Sequence, residues 1–364
     1  MSSSDTPIES TPDVAAPADG APEGGRTVGG GPGVDRGLSP KGGGFGTDAV
    51  QSDAVHGTVQ GAWIGAAPPG FGHVLGRIVG FPRLLAKHRD LVTTAVKREL
   101  QAKFTGTVLG WLWPLVYPVF MFAVYYFVFT KLLSLKIPNL PEGFEPAMGV
   151  FMFIGIVVWA GVAEGFVQGT NSIVENGNLI KKLAFPTELL PLNTVLVSVV
   201  TMLFGIFAFF IATLLGVWPM PGADMVWVLA ILPFQLLLTY GLALFLATCH
   251  VFLRDTLQLV TLLATVGMFI TPIFWIPSAK VMGETFEPYL EPLSYNPFYH
   301  LVYVWRCGLM NREHMLTLQW PEIHETFAGD PAHSVAYFAV WSVAIFLVGF
   351  VVYGLSQRRF ADEI

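Results

Sequence analysis

Apolar side chains come in long, nearly unbroken runs separated by short polar stretches. Six runs reach the roughly 20 mostly apolar residues that a helix needs to cross a bilayer: residues 112–133, 147–170, 191–216, 225–252, 256–276 and 334–355. A seventh stretch, 286–310, is broken by Pro288, Pro292 and Pro297 and carries Glu287, Glu291 and Arg306. Prolines and charges at that density exclude a continuous span, so it reads as an interfacial or re-entrant hairpin. Ahead of the first run, Leu84, Leu85, Leu91, Val92, Ala95, Val96, Leu100 and Phe104 recur at helical spacing. Lys87, Arg89, Asp90, Lys97, Arg98, Glu99 and Lys103 fill the other face. That pattern predicts an amphipathic helix lying on a membrane surface. The expected fold is an all-α polytopic membrane protein with six transmembrane helices and an N-terminal surface helix.

From residue 1 to about 80 the pattern lapses into Ser, Asp, Pro, Ala and Gly, with 19 of the chain's 38 glycines. Such a segment cannot bury enough apolar area to offset its backbone entropy and is expected to be disordered. It lacks a basic stretch followed by an apolar one, so it does not read as a signal peptide. It could serve as a docking arm or as a solvated extension without a specific role. The chain thus divides into a tail (1–80), an amphipathic interface helix (81–106) and a transmembrane domain (107–364).

Composition agrees with that division. Of 364 residues, 53% are hydrophobic and 13% charged, against roughly 25% charged in a soluble domain. The net charge of −6 is mostly tail, where eight acids and three bases precede residue 57 and leave −1 for the rest. The positions of the bases set the orientation. Arg83, Lys87, Arg89, Lys97, Arg98, Lys103, Lys181, Lys182, Arg254, Arg358 and Arg359 share one side; Lys131, Lys136, Lys280, Arg306 and Arg312 share the other. Eleven against five places both termini in the cytoplasm and the loop 277–333 outside. Cys249 and Cys307 then lie on opposite sides and do not pair.

Several residues could carry chemistry. Trp113, Tyr117, Phe120 and Phe127 fall on one face of the first run, and Phe269, Phe274 and Trp275 end the fifth. Aromatic rings suit sugars, whose C–H faces stack on them, and suit a lipid-facing belt equally well. Glu164, inside the second run, is either a functional intramembrane acid or a side chain reaching the nearby interface. The loop 171–186 is too polar to span and too apolar for a linker. It reads as a short amphipathic helix ended by Pro186. No Lys follows a Gly, so a phosphate-cradling Gly-x-x-x-x-Gly-Lys loop is absent and any ATP hydrolysis belongs to another polypeptide. The histidines show no metal-ligand spacing, and no catalytic or metal site is expected.

Three stretches carry a resemblance. One is Lys97-Arg98-Glu99-Leu100-Gln101-Ala102-Lys103-Phe104 running into Val108-Leu109-Gly110-Trp111-Leu112-Trp113-Pro114-Leu115. Another is Ser172 to Pro186, followed by Glu188-Leu189-Leu190-Pro191. The third is Phe252-Leu253-Arg254-Asp255, with Thr271-Pro272-Ile273-Phe274-Trp275 and Asn296-Pro297. Over about residues 80–364 the chain resembles the membrane subunits of ABC-2-type exporters of O-antigen, teichoic acid and related cell-surface polysaccharides. The long tail departs from that family's usual short leader.

The resemblance implies a permease in the cytoplasmic (inner) membrane that moves a lipid-linked polysaccharide. It implies a homodimer with a channel between the copies and two copies of a separate ABC ATPase subunit, which holds ATP and Mg. It implies no cofactor in this chain and no nucleic acid. Arg98, Glu99, Glu175, Asn176, Lys181, Lys182 and Arg254 would couple to the ATPase. Trp113, Tyr117, Phe120, Phe274 and Trp275 would line the sugar path. Asn296, Pro297 and Arg306 would belong to paired re-entrant gate helices on the external side. Two other classes fit less well. A transferase would draw on Glu287 or Glu291, which have no paired spacing. An ion-coupled secondary transporter needs internal repeats and several intramembrane charges, where the pattern offers Glu164 alone.

Overall fold

The computed structural model describes residues 71–106, 108–132, 147–182, 186–277, 283–311 and 330–364. Residues 1–70, most of the expected tail, lie outside the described residues, as do 133–146 and 312–329. Every regular element among the described residues is helical. Four helices are long and apolar enough to cross a membrane. They are α4 (Ala147–Glu175), α6 (Leu189–Leu214), α7 (Met225–Phe252) and α11 (Pro331–Ser356). The chain is a multi-pass membrane protein.

The two remaining apolar runs form shorter helices than their hydrophobicity predicts. The first comprises a 3-10 turn (Gly110–Leu112), α3 (Trp113–Tyr125) and a π-helical stretch (Tyr126–Leu132). The fifth, α8 (Thr256–Ile270), stops six residues before the expected end at Ile276. Pro272 is the reason: its ring pushes the preceding residue out of the helical region, and Thr271 is extended at φ −73° and ψ 134°. At 1.5 Å per residue α8 measures about 22 Å, short of a hydrocarbon core about 30 Å thick.

The stretch expected to form one surface helix is two helices, α1 (Phe71–Lys87) and α2 (Arg89–Phe104), bent at His88. Residues 71–80, assigned to the tail by composition, are therefore helical. Glycine and distance from the first span hid a face that repeats helically: Val74, Ile78, Phe81 and Leu85 all pack into a core shared with α7 and α11.

Close backbone approach holds the bundle. Gly241 of α7 faces Gly349 of α11, and a Cβ on Gly349 would overlap the Gly241 carbonyl. A broken hairpin, α9 (Glu287–Ser294) and α10 (Pro297–Met310), packs on helices α7 and α11 through α10. Asn296 explains the break. Its side chain caps α10 by accepting from the Phe298 N–H at 3.0 Å, while Pro297 fills the first helical position, where no N–H is needed. From Tyr299 to Met310 every residue of α10 is buried, enclosed by α4, α7 and α11.

Candidate functional site

At one end of the bundle, α4 turns sharply into α5 (Gly177–Lys182). Asn176 makes the turn. Its carbonyl accepts from Leu179 and Ile180, and its side-chain amide donates to the Ser172 carbonyl at 2.8 Å. Glu175, Asn178 and Lys181 are left exposed along the helix. Gly177 is buried beneath the Ile364 side chain, which leaves no room for a Cβ.

Helix α2 crosses the same region and settles the environment of Glu164. Lys103 of α2 forms an ion pair with Glu164 of α4 and lies 3.5 Å from the Thr201 hydroxyl of α6. Both charged side chains keep about a third of their surface, so the pair contributes at most about 1 kcal/mol. One turn earlier, Glu99 is half-buried, and burial raises its carboxyl above the ordinary range. Glu175 and Glu164 raise it further, against the opposing pull of Lys103. Tertiary structure thus gathers Glu99, Lys103, Glu164 and Glu175. Arg98 faces outward from α2, and Arg254 stands exposed in the turn between α7 and α8. Among the described residues neither makes an ion pair with that group. The Lys182 side chain lies outside the described residues.

The aromatic candidates divide into two groups. Trp113, Tyr117 and Phe120 of α3 and Phe127 of the π-helical stretch after it are exposed, with 41% of Trp113 and 60% of each of the others uncovered. Phe274 and Trp275 instead sit in the unwound segment after α8. The Phe274 ring lies 5.9 Å from Tyr125 and 5.6 Å from Phe269. Trp275 donates from Nε1 to the Phe269 carbonyl at 3.0 Å and meets Phe286 edge-on at 5.3 Å. Trp275 therefore bridges α8 to the segment that leads into α9, and Phe274 bridges α8 to α3.

Arg306, expected at the external gate, is completely buried in α10. Its Nε donates to the Phe151 carbonyl at 3.0 Å, Nη1 to Pro272 at 2.7 Å and Nη2 to Ile273 at 3.0 Å. Its carbon centre lies 3.4 Å over the Phe151 ring. The carbonyls of Pro272 and Ile273 are those freed where α8 breaks, so the guanidinium satisfies the backbone that Pro272 disrupted. Asn296 reaches the same break, donating to the Thr271 hydroxyl at 3.3 Å. Gly155 provides space: a Cβ there would stand 2.5 Å from Arg306 Nη2. The hairpin α9–α10 is thereby fastened to the end of α8.

The family profile for the ABC-2 type transporter matches residues 90–306, more than half of the chain and the whole path from α2 to Arg306. The chain belongs to the ABC-2 transporter family. Similar proteins named O-antigen export system permease protein RfbA come from two organisms. One from Klebsiella pneumoniae is 26% identical over 275 residues, which cover 75% of this chain and 94% of that protein. One from Myxococcus xanthus is 28% identical over 225 residues, 60% of this chain and 80% of that protein. As an ABC-2 membrane domain the chain is a transport subunit.

One charged group of this ABC-2 protein escapes the sequence pattern. Glu188, between α5 and α6, is buried with 5% of its side chain exposed, and Arg77 of α1 pairs with it at 2.8 Å. Arg77 lies in a stretch that composition assigns to the tail; the repeat Val74, Ile78, Phe81 and Leu85 is the signal that could have placed it on a packed helix.

Proposed function

We propose that this ABC-2 protein is the permease subunit of an exporter that moves a lipid-linked polysaccharide, of the O-antigen kind or similar, across the cytoplasmic membrane. The observation that carries the proposal is the continuous family match from α2 to α10, joined to relatives that are named as O-antigen export permeases. Two copies pair around a channel, and two copies of a separate ABC ATPase, holding ATP and Mg, bind at the cytoplasmic end where α2 and α5 lie. Six passes then come from α3 with its π-helical extension, α4, α6, α7, α8 with the unwound segment after it, and α11. Both termini are cytoplasmic, α1 and α2 form the interface helices, and α9–α10 forms a re-entrant gate on the external side.

The geometry supports that assignment. Glu175 at the end of α4 and Asn178 and Lys181 on α5 are exposed, and α5 follows directly on α4 through the Asn176 turn, so force on it reaches a long helix. The exposed rings of α3 offer a polymer repeated weak stacking contacts that tolerate movement from one sugar to the next. Nucleotide-driven closure of the ATPases shifts the population between channel states, because the two states contact the ATPase differently.

Reversing Lys181 and Lys182 to Glu tests the docking role. The ATPase should be lost when the permease is purified, with the amount of permease in the membrane unchanged. Unaltered recovery of the ATPase removes α5 as the docking element.

A further inference from the structure

The Glu188 carboxylate is the centre of a polar knot. Arg77 pairs with its Oε1 and also donates to the Gln357 side chain. Tyr353 of α11 donates to its Oε2 at 3.4 Å and is hydrogen-bonded to the Thr187 hydroxyl, which accepts from Gln357 at 2.9 Å. Tyr240 of α7 donates to the Glu188 backbone carbonyl at 3.0 Å. Around these bonds the packing is aromatic. Phe81 of α1 stacks on Tyr240 at 5.5 Å and meets Phe350 edge-on at 5.7 Å, and Val74 presses on Gly354.

This knot sits just after α5, and the start of α5 is fixed as well, because Ile364 covers Gly177. The segment 353–364 therefore meets the chain at both ends of α5, through Ile364 at Gly177 and through Tyr353 and Gln357 at Thr187 and Glu188, where Arg77 of α1 joins it. Arg77, Tyr353 and Gln357 all lie outside the 90–306 match, so the family pattern does not supply them. Helix α11 continues from the knot to the opposite end of the bundle. There the Ser334 hydroxyl meets the His300 ring of α10 at 3.1 Å, and Tyr337 donates to the Tyr295 carbonyl between α9 and α10. A 26-residue helix is a rigid rod of about 39 Å.

We propose that Glu188, held by Arg77 and Tyr353, is a positioning residue that ties α5 to α1 and α11. A push on α5 then moves the last span and the α9–α10 hairpin, as well as α4. Burial makes the tie stiff: a carboxylate withdrawn from water holds its charge partner far more tightly than an exposed one, so neither end slides freely. The proposal rests on the assignment of α5 as the element the ATPase engages.

The test compares wild type with Arg77→Met in the full permease–ATPase complex. Surface polysaccharide per copy of permease is read in cells; ATPase recovery and ATP hydrolysis are read on the purified complex. Arg77→Met should lower surface polysaccharide per permease about tenfold, the size of a typical coupling between sites, with ATPase recovery and hydrolysis unchanged. Normal polysaccharide per permease overturns the relay. So does a loss of ATPase recovery in the variant, which would make the knot a support for the docking helix alone. If Arg77→Met yields no permease, Arg77→Lys replaces it, keeping the charge but losing the two-sided fork. Reduced export at full ATP hydrolysis in that variant supports the relay, and normal export overturns it. Failure of the wild type itself to retain any ATPase overturns the assignment of α5, a different result from failure of the relay.

Discussion

Arg306 brings a guanidinium into the middle of a helix bundle, where it satisfies three main-chain carbonyls from two other segments. Removing it in Arg306→Ala orphans those buried oxygens and should cost on the order of 3 kcal/mol. Thermal unfolding in detergent checks this, and Arg306→Lys should fall nearly as far because an ammonium cannot fork across the same acceptors. A Tm unchanged by either substitution would show that the fastening is not needed. Glu99 gives a pH-dependent prediction. Its carboxyl is raised by burial first and by Glu175 next, so folding disfavours its charged form. The stability this group contributes is present below its unfolded pKa and is lost as pH rises through the raised folded value. Glu99→Gln should therefore have a higher Tm than wild type at neutral pH, and the gap should close as pH falls toward 4.5, the ordinary value. A gap that stays constant with pH would remove the carboxylate as its cause. Neither behaviour is visible in the residue strings: Arg306 reads as one charge in a Pro-broken segment, and Glu99 as one of several on a solvated face.

At the scale of elements, the runs of apolar residues located the long helices well, because a segment with no polar side chains has few alternatives inside a bilayer. Their ends were less legible. Pro272 truncates α8 within a run whose hydrophobicity continues, and the break is tolerated because a residue 34 positions away caps the freed carbonyl. The crossing of α7 and α11 was hidden for a similar reason, since Gly241 and Gly349 are two glycines among many until their backbones touch. Gly349→Leu should destabilise by about 3 kcal/mol or more, because the obstructing atoms are backbone and cannot rotate away. Gly76→Ala on α1, where an added Cβ meets nothing, should stabilise by roughly 0.5–1 kcal/mol. Chemical denaturation of the two variants side by side checks both; equal effects would contradict the close crossing.

Across the whole molecule, the aromatic candidates are expected to separate by function. Trp113 is exposed on α3, so Trp113→Ala should slow export about tenfold with unfolding unchanged, within the range one stacked ring contributes. Phe274 packs between Tyr125 and Phe269, so Phe274→Ala should lower export and Tm together. Surface polysaccharide measured beside Tm distinguishes them, and full export by Trp113→Ala would remove that ring from the sugar path. What the sequence determined by itself was the class and the family: low charge and long apolar runs leave few solutions other than a helical membrane bundle, and local motifs around residues 97, 175 and 254 mark its kind. Tertiary structure decided which charges are buried and what satisfies them. Glu164 finds Lys103, Glu188 finds Arg77, and Arg306 finds the carbonyls left by Pro272. Each partner lies 33 to 111 positions away along the chain. Local periodicity carries no information at that range, and only the packing of helices brings such groups within a hydrogen bond of one another.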